Sequence, residues 1–141
     1  MLKGIPDVIS PELLKILDEM GHGDELVIGD ANFPSASNAK RLVRSDGNRM
    51  TLILDAILKL FPLDIYTDKS VTLIETGNDS APEIYAEVNG IISKYDDRGE
   101  ETIDYIDTFK FYERAKNAYA IVASSERKLY GCVIIKKGII K

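Results

Sequence analysis

The chain carries a single histidine, His22, set between two glycines and followed by two acids in Gly21-His22-Gly23-Asp24-Glu25. Imidazole is the ordinary side chain whose unperturbed pKa, about 6.5, lets it give and take a proton near neutrality. The flanking glycines have no Cβ, so the backbone can turn and a small ligand can come close on either side. Acids on both sides offer groups to orient the ring. After a short apolar run comes Asp30, then Ala31-Asn32-Phe33-Pro34. General acid–base chemistry at His22 is what this block can support. The competing reading makes His22 a solvated residue at a helix C-terminus, where a cation suits the dipole, and makes Asp30 a cap for the turn at Ala31-Asn32.

The elements that position these residues follow from pattern. Ser10-Pro11-Glu12 opens a helix with an N-cap hydroxyl, a proline at the first helical position and an acid in the first turn. Leu13, Leu14, Ile16 and Leu17 form its apolar stripe, and Gly21 ends it. Residues 25–29 read as a strand. That leaves His22 on the loop feeding the strand and Asp30 just past its end, roughly 17 Å away if the strand is extended. Contact between the two within one chain needs the loop to fold back.

Further strands are predicted over 41–44, 70–75, 102–106, 119–123 and 131–136. Helices are predicted over 49–61, from an opening at 79–82 that carries Ile84, Val88, Ile91 and Ile92, and over 109–117. Residues 32–35 read as a turn, followed by a polar connection through Lys40. This alternation predicts a single α/β domain over residues 1–141, with a mostly parallel sheet flanked by helices. Ligands of such sheets bind beyond the carboxyl ends of the strands. Asp30 has that address. Tyr130 precedes its strand, and fits only if that strand runs opposite to its neighbours or comes from another subunit.

Composition narrows the function class. A length of 141 residues with 45% apolar content suits one core. A net charge of −5 with no lysine or arginine cluster speaks against a nucleic-acid partner. The lone Cys132 rules out an intrachain disulfide and a multi-cysteine zinc cluster, and points to a reducing, cytoplasmic compartment. Within its apolar segment it reads as a packing residue rather than a reactive thiol. The first residues, MLKGIP, do not have the pattern of a signal peptide. No apolar run approaches the roughly 20 residues that span a bilayer, so no membrane partner is expected. His22 with carboxylates alone is a poor zinc set; no metal is assigned, although a weak magnesium site stays open. Gly21-His22-Gly23 lacks the third glycine of a dinucleotide fingerprint and follows a helix, and no Gly-x-Ser-x-Gly elbow presents a serine nucleophile.

The segments MLKGIPDVISPELLKILDEMGHGDELVIGDANFPS, FKFYERAKNAYAIVASSE and YGCVIIKKG resemble the RbsD/FucU family of sugar mutarotases. FYERAKNAYA is similar to the L-fucose branch rather than the ribose branch. The resemblance runs over almost the whole chain and is weakest between about residues 64 and 107. It implies an RbsD-like fold in a cytoplasmic, ring-shaped homo-oligomer, typically a decamer, that exchanges the anomers of a free monosaccharide without a cofactor.

By the same resemblance His22 takes the place of the general acid and Asp30 that of a sugar-binding carboxylate. Tyr130, Gly131 and Cys132 fall on a third contact group whose last member is commonly asparagine. Thr108 falls where the fucose branch commonly carries an arginine. Cysteine has no side-chain amide, and threonine offers one hydroxyl in place of five guanidinium donors, with Lys110 nearby as a substitute. Both departures bear on sugar preference more than on the reaction.

Anomer exchange needs a proton delivered to the ring oxygen, one removed from the anomeric hydroxyl, rotation about C1–C2 and reclosure. Positioned proton transfer supplies about a hundredfold or more. His22 is then the shuttle, Asp30 orients the sugar or the imidazole, and the Tyr130 phenol holds a hydroxyl or relays a proton. Of the aromatic set Phe109, Phe111, Tyr112 and Tyr119, core or subunit packing is expected, with one ring available to stack on a sugar. Glu113 and Arg114 are expected as an exposed or interface ion pair. Two classes remain: an enzyme acting on L-fucose or a related pyranose, and a ring of the same fold that binds a sugar or a transport partner without turnover.

Overall fold

In a computed structural model that describes residues 1–77 and 80–141, the first helix, α1, runs Pro11–Glu19. The Ser10 hydroxyl accepts the Leu13 N–H at 3.1 Å, as the N-cap pattern requires. Strands follow at Glu25–Gly29 (β1), Leu42–Ser45 (β2), Val71–Ile74 (β3), Ile103–Ile106 (β4), Ala120–Ser124 (β5) and Val133–Lys136 (β6). They form one sheet in the order β2-β5-β1-β6-β3-β4. β1 and β2 each pair parallel with β5, and β3 pairs parallel with β4. β6 lies between β1 and β3 and runs antiparallel to both.

The direction of β6 has a simple cause. It is separated from β5 only by residues 125–132, and a parallel return needs roughly a dozen residues or more to travel back along the sheet. The connection instead hops across the carboxyl end of β1 and enters the sheet from the same edge. The expected α/β fold with a mostly parallel sheet is therefore present, with one reversed strand inside it.

Side chains alternate between two apolar layers. Leu26 and Ile28 of β1, with Val71, Leu73, Val133 and Ile135, pack under α1, α3 (Met50–Leu58) and α4 (Glu83–Tyr95). Val27, Ile74, Ile121 and Ile134 face the other way, toward Phe33 and α5 (Thr108–Asn117). Phe111 of α5 is wholly buried in that second layer. The sheet is thus covered on both faces, which explains why its strands are nearly continuous apolar runs.

Several boundaries shift. The segment read as a turn and polar connection contains a short helix, α2 (Ser35–Asn38), because the backbone closes one helical turn after Pro34. Gly131 and Cys132 belong to the loop before β6, not to the strand. α4 begins at Glu83 behind Pro82, and Asp79 of its predicted opening lies outside the described residues. The charged exit of α4 forms a 3₁₀ turn at Gly99–Thr102. Among the described residues no helix is long and apolar enough to cross a membrane.

Candidate active site

The His22 loop is stitched to the end of β6. Gly23 (φ +86°) donates its N–H to the Lys137 carbonyl at 2.8 Å, and the Lys137 N–H returns to the Asp24 carbonyl at 2.8 Å. The Lys137 ammonium caps the carbonyls of Leu17 and Met20 at the end of α1. His22 projects from this loop with 48% of its side chain exposed and its Nε2 at 3.1 Å from Asp64 Oδ1. It also lines a cavity of about 460 Å³ with Asp18, Met20, Phe61, Lys137 and Ile140.

Asp64 is the orienting acid. Its carboxylate is buried, and Oδ1 also accepts the Tyr66 N–H at 3.0 Å. Burial pushes the carboxyl up, but the Tyr66 amide and the His22 bond outweigh it and hold it below the usual carboxylate range. An ionised acceptor at Nε2 selects the Nε2–H tautomer and leaves Nδ1 as the ring nitrogen not bound to Asp64. Arg98 fixes the Asp64 segment, donating to the carbonyls of Asp64 (2.9 Å) and Thr67 (2.8 Å) while gripping Asp96 at 2.8 Å. The Ser70 hydroxyl donates to the same Asp64 carbonyl.

The acids adjacent to His22 in sequence do not orient it. The Asp24 carboxylate accepts the Gly21 N–H at 2.8 Å, and Glu25 pairs with Arg114. Sequence reasoning missed Asp64, which lies 42 positions along the chain. Glu113 and Arg114 do not pair either: Arg114 bonds the Thr72 hydroxyl at 3.0 Å as well as Glu25, while Glu113 pairs with Lys116 at 3.0 Å.

The other predicted site residues gather at the opposite sheet edge. Asp30, past the end of β1, accepts the Asn32 N–H on Oδ1 at 2.9 Å, so the turn-capping role is real. Its own N–H points to Cys132 Sγ at 3.3 Å. Cys132 is 2% exposed, and burial, with Asp30 beside it, pushes the thiol well up. Tyr130 meets the condition set for it, because the reversed β6 brings its leading loop to the carboxyl end of β1. Tyr130 has φ +59°, the left-handed region that non-glycine residues rarely occupy and that costs about 1 kcal/mol or more. Backbone strain of that kind persists only where the surroundings enforce it.

Thr108 opens α5 beyond β4 and is exposed at the same edge. Lys110 stands 3.8 Å from the Asp107 carboxylate, which caps the helix by accepting the Lys110 N–H at 3.0 Å. Tyr112 sits one turn into α5 with its ring edge-on to Phe33 at 5.0 Å. Its phenol is pushed up by burial and then by Cys132 and Asp30 close by, which puts a hydroxyl near this edge that sequence reasoning treated as packing. The loop does not fold back. His22 and the group Asp30, Thr108, Tyr130, Gly131 and Cys132 stay at opposite ends of β1, so Asp30 does not orient the imidazole of its own chain. Among the described residues no three or more His, Cys, Asp or Glu side chains gather as a metal ion requires.

The sequence profile of the RbsD / FucU transport protein family matches residues 3–140. The chain belongs to the RbsD/FucU family. Within that family it is 44% identical over 147 aligned residues to the fucose mutarotase of Danio rerio, covering 99% of this chain and 95% of that protein. The structure of the fucose mutarotase from Streptococcus pneumoniae in complex with L-fucose superposes with a TM-score of 0.93 at 48% identity, covering 99% of this chain and 100% of the other. FucU from Bifidobacterium longum superposes with a TM-score of 0.95 at 49% identity, with the same coverage. The reversed β6 and the two-faced packing are thus set in an RbsD/FucU fold matched from end to end.

Proposed function

We propose that this chain is a cofactor-independent mutarotase that interconverts the α and β anomers of L-fucose, or of a closely related free pyranose, with His22 as general acid and base. The observation that carries the reading is the half-exposed His22 imidazole held by the buried Asp64 carboxylate at 3.1 Å. The fucose mutarotase names of its relatives support the substrate class.

The imidazolium donates its Nδ1 proton to the sugar ring oxygen as the C1–O5 bond breaks and its electron pair passes to O5. The anomeric O–H passes its proton to the Tyr130 phenol oxygen as that phenol gives its own proton to solvent water, and C1–O1 becomes the aldehyde. Asp64 offsets the imidazolium charge, which is the state the ring must enter and leave. Rotation about C1–C2 presents the other carbonyl face, O5 attacks, and both protons return. Nothing is consumed. Asp30 holds sugar hydroxyls through its second carboxylate oxygen, Thr108 adds a hydroxyl, and the backbone at Gly131 and Cys132 completes the edge. With Cys132 buried against Asp30, a backbone contact replaces any side-chain amide there.

The separation of the two groups along β1 supports a pocket shared between copies, His22 coming from one and Asp30 with Tyr130 from the next. Each end carries exposed apolar side chains: Ile65, Tyr66 and Ile140 toward His22, and Phe109 and Leu129 toward Asp30. A contact between unlike ends is heterologous, the kind that builds a ring when its rotation closes. The decameric size rests on the family resemblance, and the cytoplasmic location on the single buried thiol.

Saturation-transfer NMR between the anomeric protons of L-fucose tests the reading. Exchange accelerated by the protein and abolished in His22→Ala is the expected result. Exchange unchanged at high protein concentration, with sugar still bound, leaves the non-catalytic ring.

A further inference from the structure

Glu126 is buried to 2% exposure in the connection between β5 and β6, and no step of the proposed reaction uses it. Its side chain reaches along that connection and out to α3. Oε1 accepts the Lys128 N–H at 3.1 Å, and Oε2 lies 3.2 Å from Nε of Arg49, the residue that caps α3. Its Cγ fills the space a Cβ on Gly131 would occupy, at 2.7 Å. Its backbone carbonyl accepts the Ala31 N–H at 2.8 Å, and its N–H donates to the Ser124 hydroxyl, which itself donates to the Gly29 carbonyl at 2.6 Å.

One residue therefore touches the Asp30 turn through its main chain and the Tyr130 loop through its side chain. We propose that Glu126 is a positioning residue for the sugar-holding edge: it latches the left-handed Tyr130 and the Asp30 turn into one rigid unit anchored on α3. The proposal rests on the mutarotase reading for what the edge holds, but not for the latch itself. Arg49 also bonds Glu87 at 3.0 Å, and Lys128 bonds Glu83 at 2.9 Å, so the anchor extends to α4. Oε2 is buried with no hydrogen bond of its own, so the Lys128 amide on Oε1 and the charge of Arg49 are what hold the carboxylate, and the cost of losing either keeps its geometry stiff. Stiffness is what an edge that must place a hydroxyl on a small sugar requires.

The test compares Glu126→Asp, Glu126→Ala and Glu126→Gln with the wild type in its native assembly. Asp is one methylene too short to reach the Lys128 amide, Ala removes the acceptor, and Gln keeps an oxygen for that amide but sets an NH₂ against the Arg49 guanidinium. In Asp and Ala variants KM for L-fucose exchange rises about tenfold or more and the saturating rate falls with the misplaced Tyr130, while the acid limb of the pH profile is unmoved, because Glu126 bonds neither His22 nor Asp64. Gln, which keeps the Lys128 bond and loses the Arg49 pairing, falls between wild type and Asp in KM. Hydrogen exchange at the Lys128 amide is slow in wild type and Gln, and faster in Asp and Ala.

Wild-type KM and wild-type Lys128 protection in Glu126→Asp overturn the latch, as does fast exchange at Lys128 in the wild type. If Glu126→Ala does not fold, the Asp variant decides. If the wild type neither exchanges nor binds L-fucose, the mutarotase reading fails while amide exchange still judges the latch.

Discussion

His22 and Asp30 stand at the two ends of β1, with the whole strand between them and their side chains at opposite edges of the sheet. In the shared pocket we propose, a sugar that touches both meets two copies of the chain. Mixing His22→Ala protein with Asp30→Ala protein, each inactive alone, is expected to restore exchange. In a randomly mixed heterologous ring about a quarter of the sites hold one intact His22 and one intact Asp30. Recovery of activity after denaturation and co-refolding, read by saturation transfer, checks this. No recovery with proven subunit mixing would mean that each chain completes its own pocket.

Replacing Asp64 by asparagine keeps the shape of the His22 partner and removes its charge. The amide can turn an NH₂ toward the ring and select the wrong tautomer. Exchange is expected to fall about tenfold to a hundredfold with KM nearly unchanged. Because the chain has one histidine, ¹⁵N NMR of labelled imidazole reports its tautomer without assignment work. An unaltered tautomer with an unaltered rate would remove Asp64 from the mechanism.

Acid stability follows from the same segment. Arg98 holds the Asp96 carboxyl below the usual range, and the Tyr66 amide with His22 does so for Asp64 against the cost of burial. Both folded values are depressed, so the unfolded chain binds more protons in acid. Their stabilisation is complete above the unfolded value of about 3.9 and is lost as pH falls through the folded values. Urea midpoints should be flat in this respect from neutrality to about pH 5 and drop below about pH 4. Arg98→Met should cost about 2 kcal/mol near neutrality, through lost charged hydrogen bonds, and show a shallower acid drop.

Two glycines make opposite predictions. A Cβ at Gly29 would lie 2.7 Å from Phe33 Cδ1 and 2.8 Å from Ser35 Oγ, beneath the Asp30 turn. Gly29→Ala should lose about 1–3 kcal/mol of stability and weaken sugar binding together. Gly90, inside α4, has open space around its Cβ position. Gly90→Ala should gain about 0.5–1 kcal/mol with exchange unaltered. Thermal melts and fucose titrations on both variants separate the cases.

Local order was legible in the letters. Ser10-Pro11 and the stripe after it specify α1, the β-branched runs specify the strands, and their alternation specifies an α/β sheet, because capping and periodicity act over a few residues. His22 on a loop and Asp30 past a strand end followed from the same reasoning. The direction of β6 was within reach too: the connection 125–132 is too short for a parallel return. The helix at Ser35–Asn38 was missed because a single turn leaves no periodic signature.

The sequence by itself determined which elements form, which family pattern they carry, and that the chain offers a single imidazole as its candidate for proton transfer. Only the tertiary structure decided that Asp64 rather than Asp24 or Glu25 holds that imidazole, that the reversed β6 sets Tyr130 beside Asp30, and that Glu126 ties the two together. His22 and Asp64 are 42 positions apart, and Asp30 and Cys132, which meet at the other end of β1, are 102 apart. Periodicity and capping reach only along the chain. Strand order and direction bring distant segments side by side, and they emerge from the packing of the whole sheet between its two helical layers.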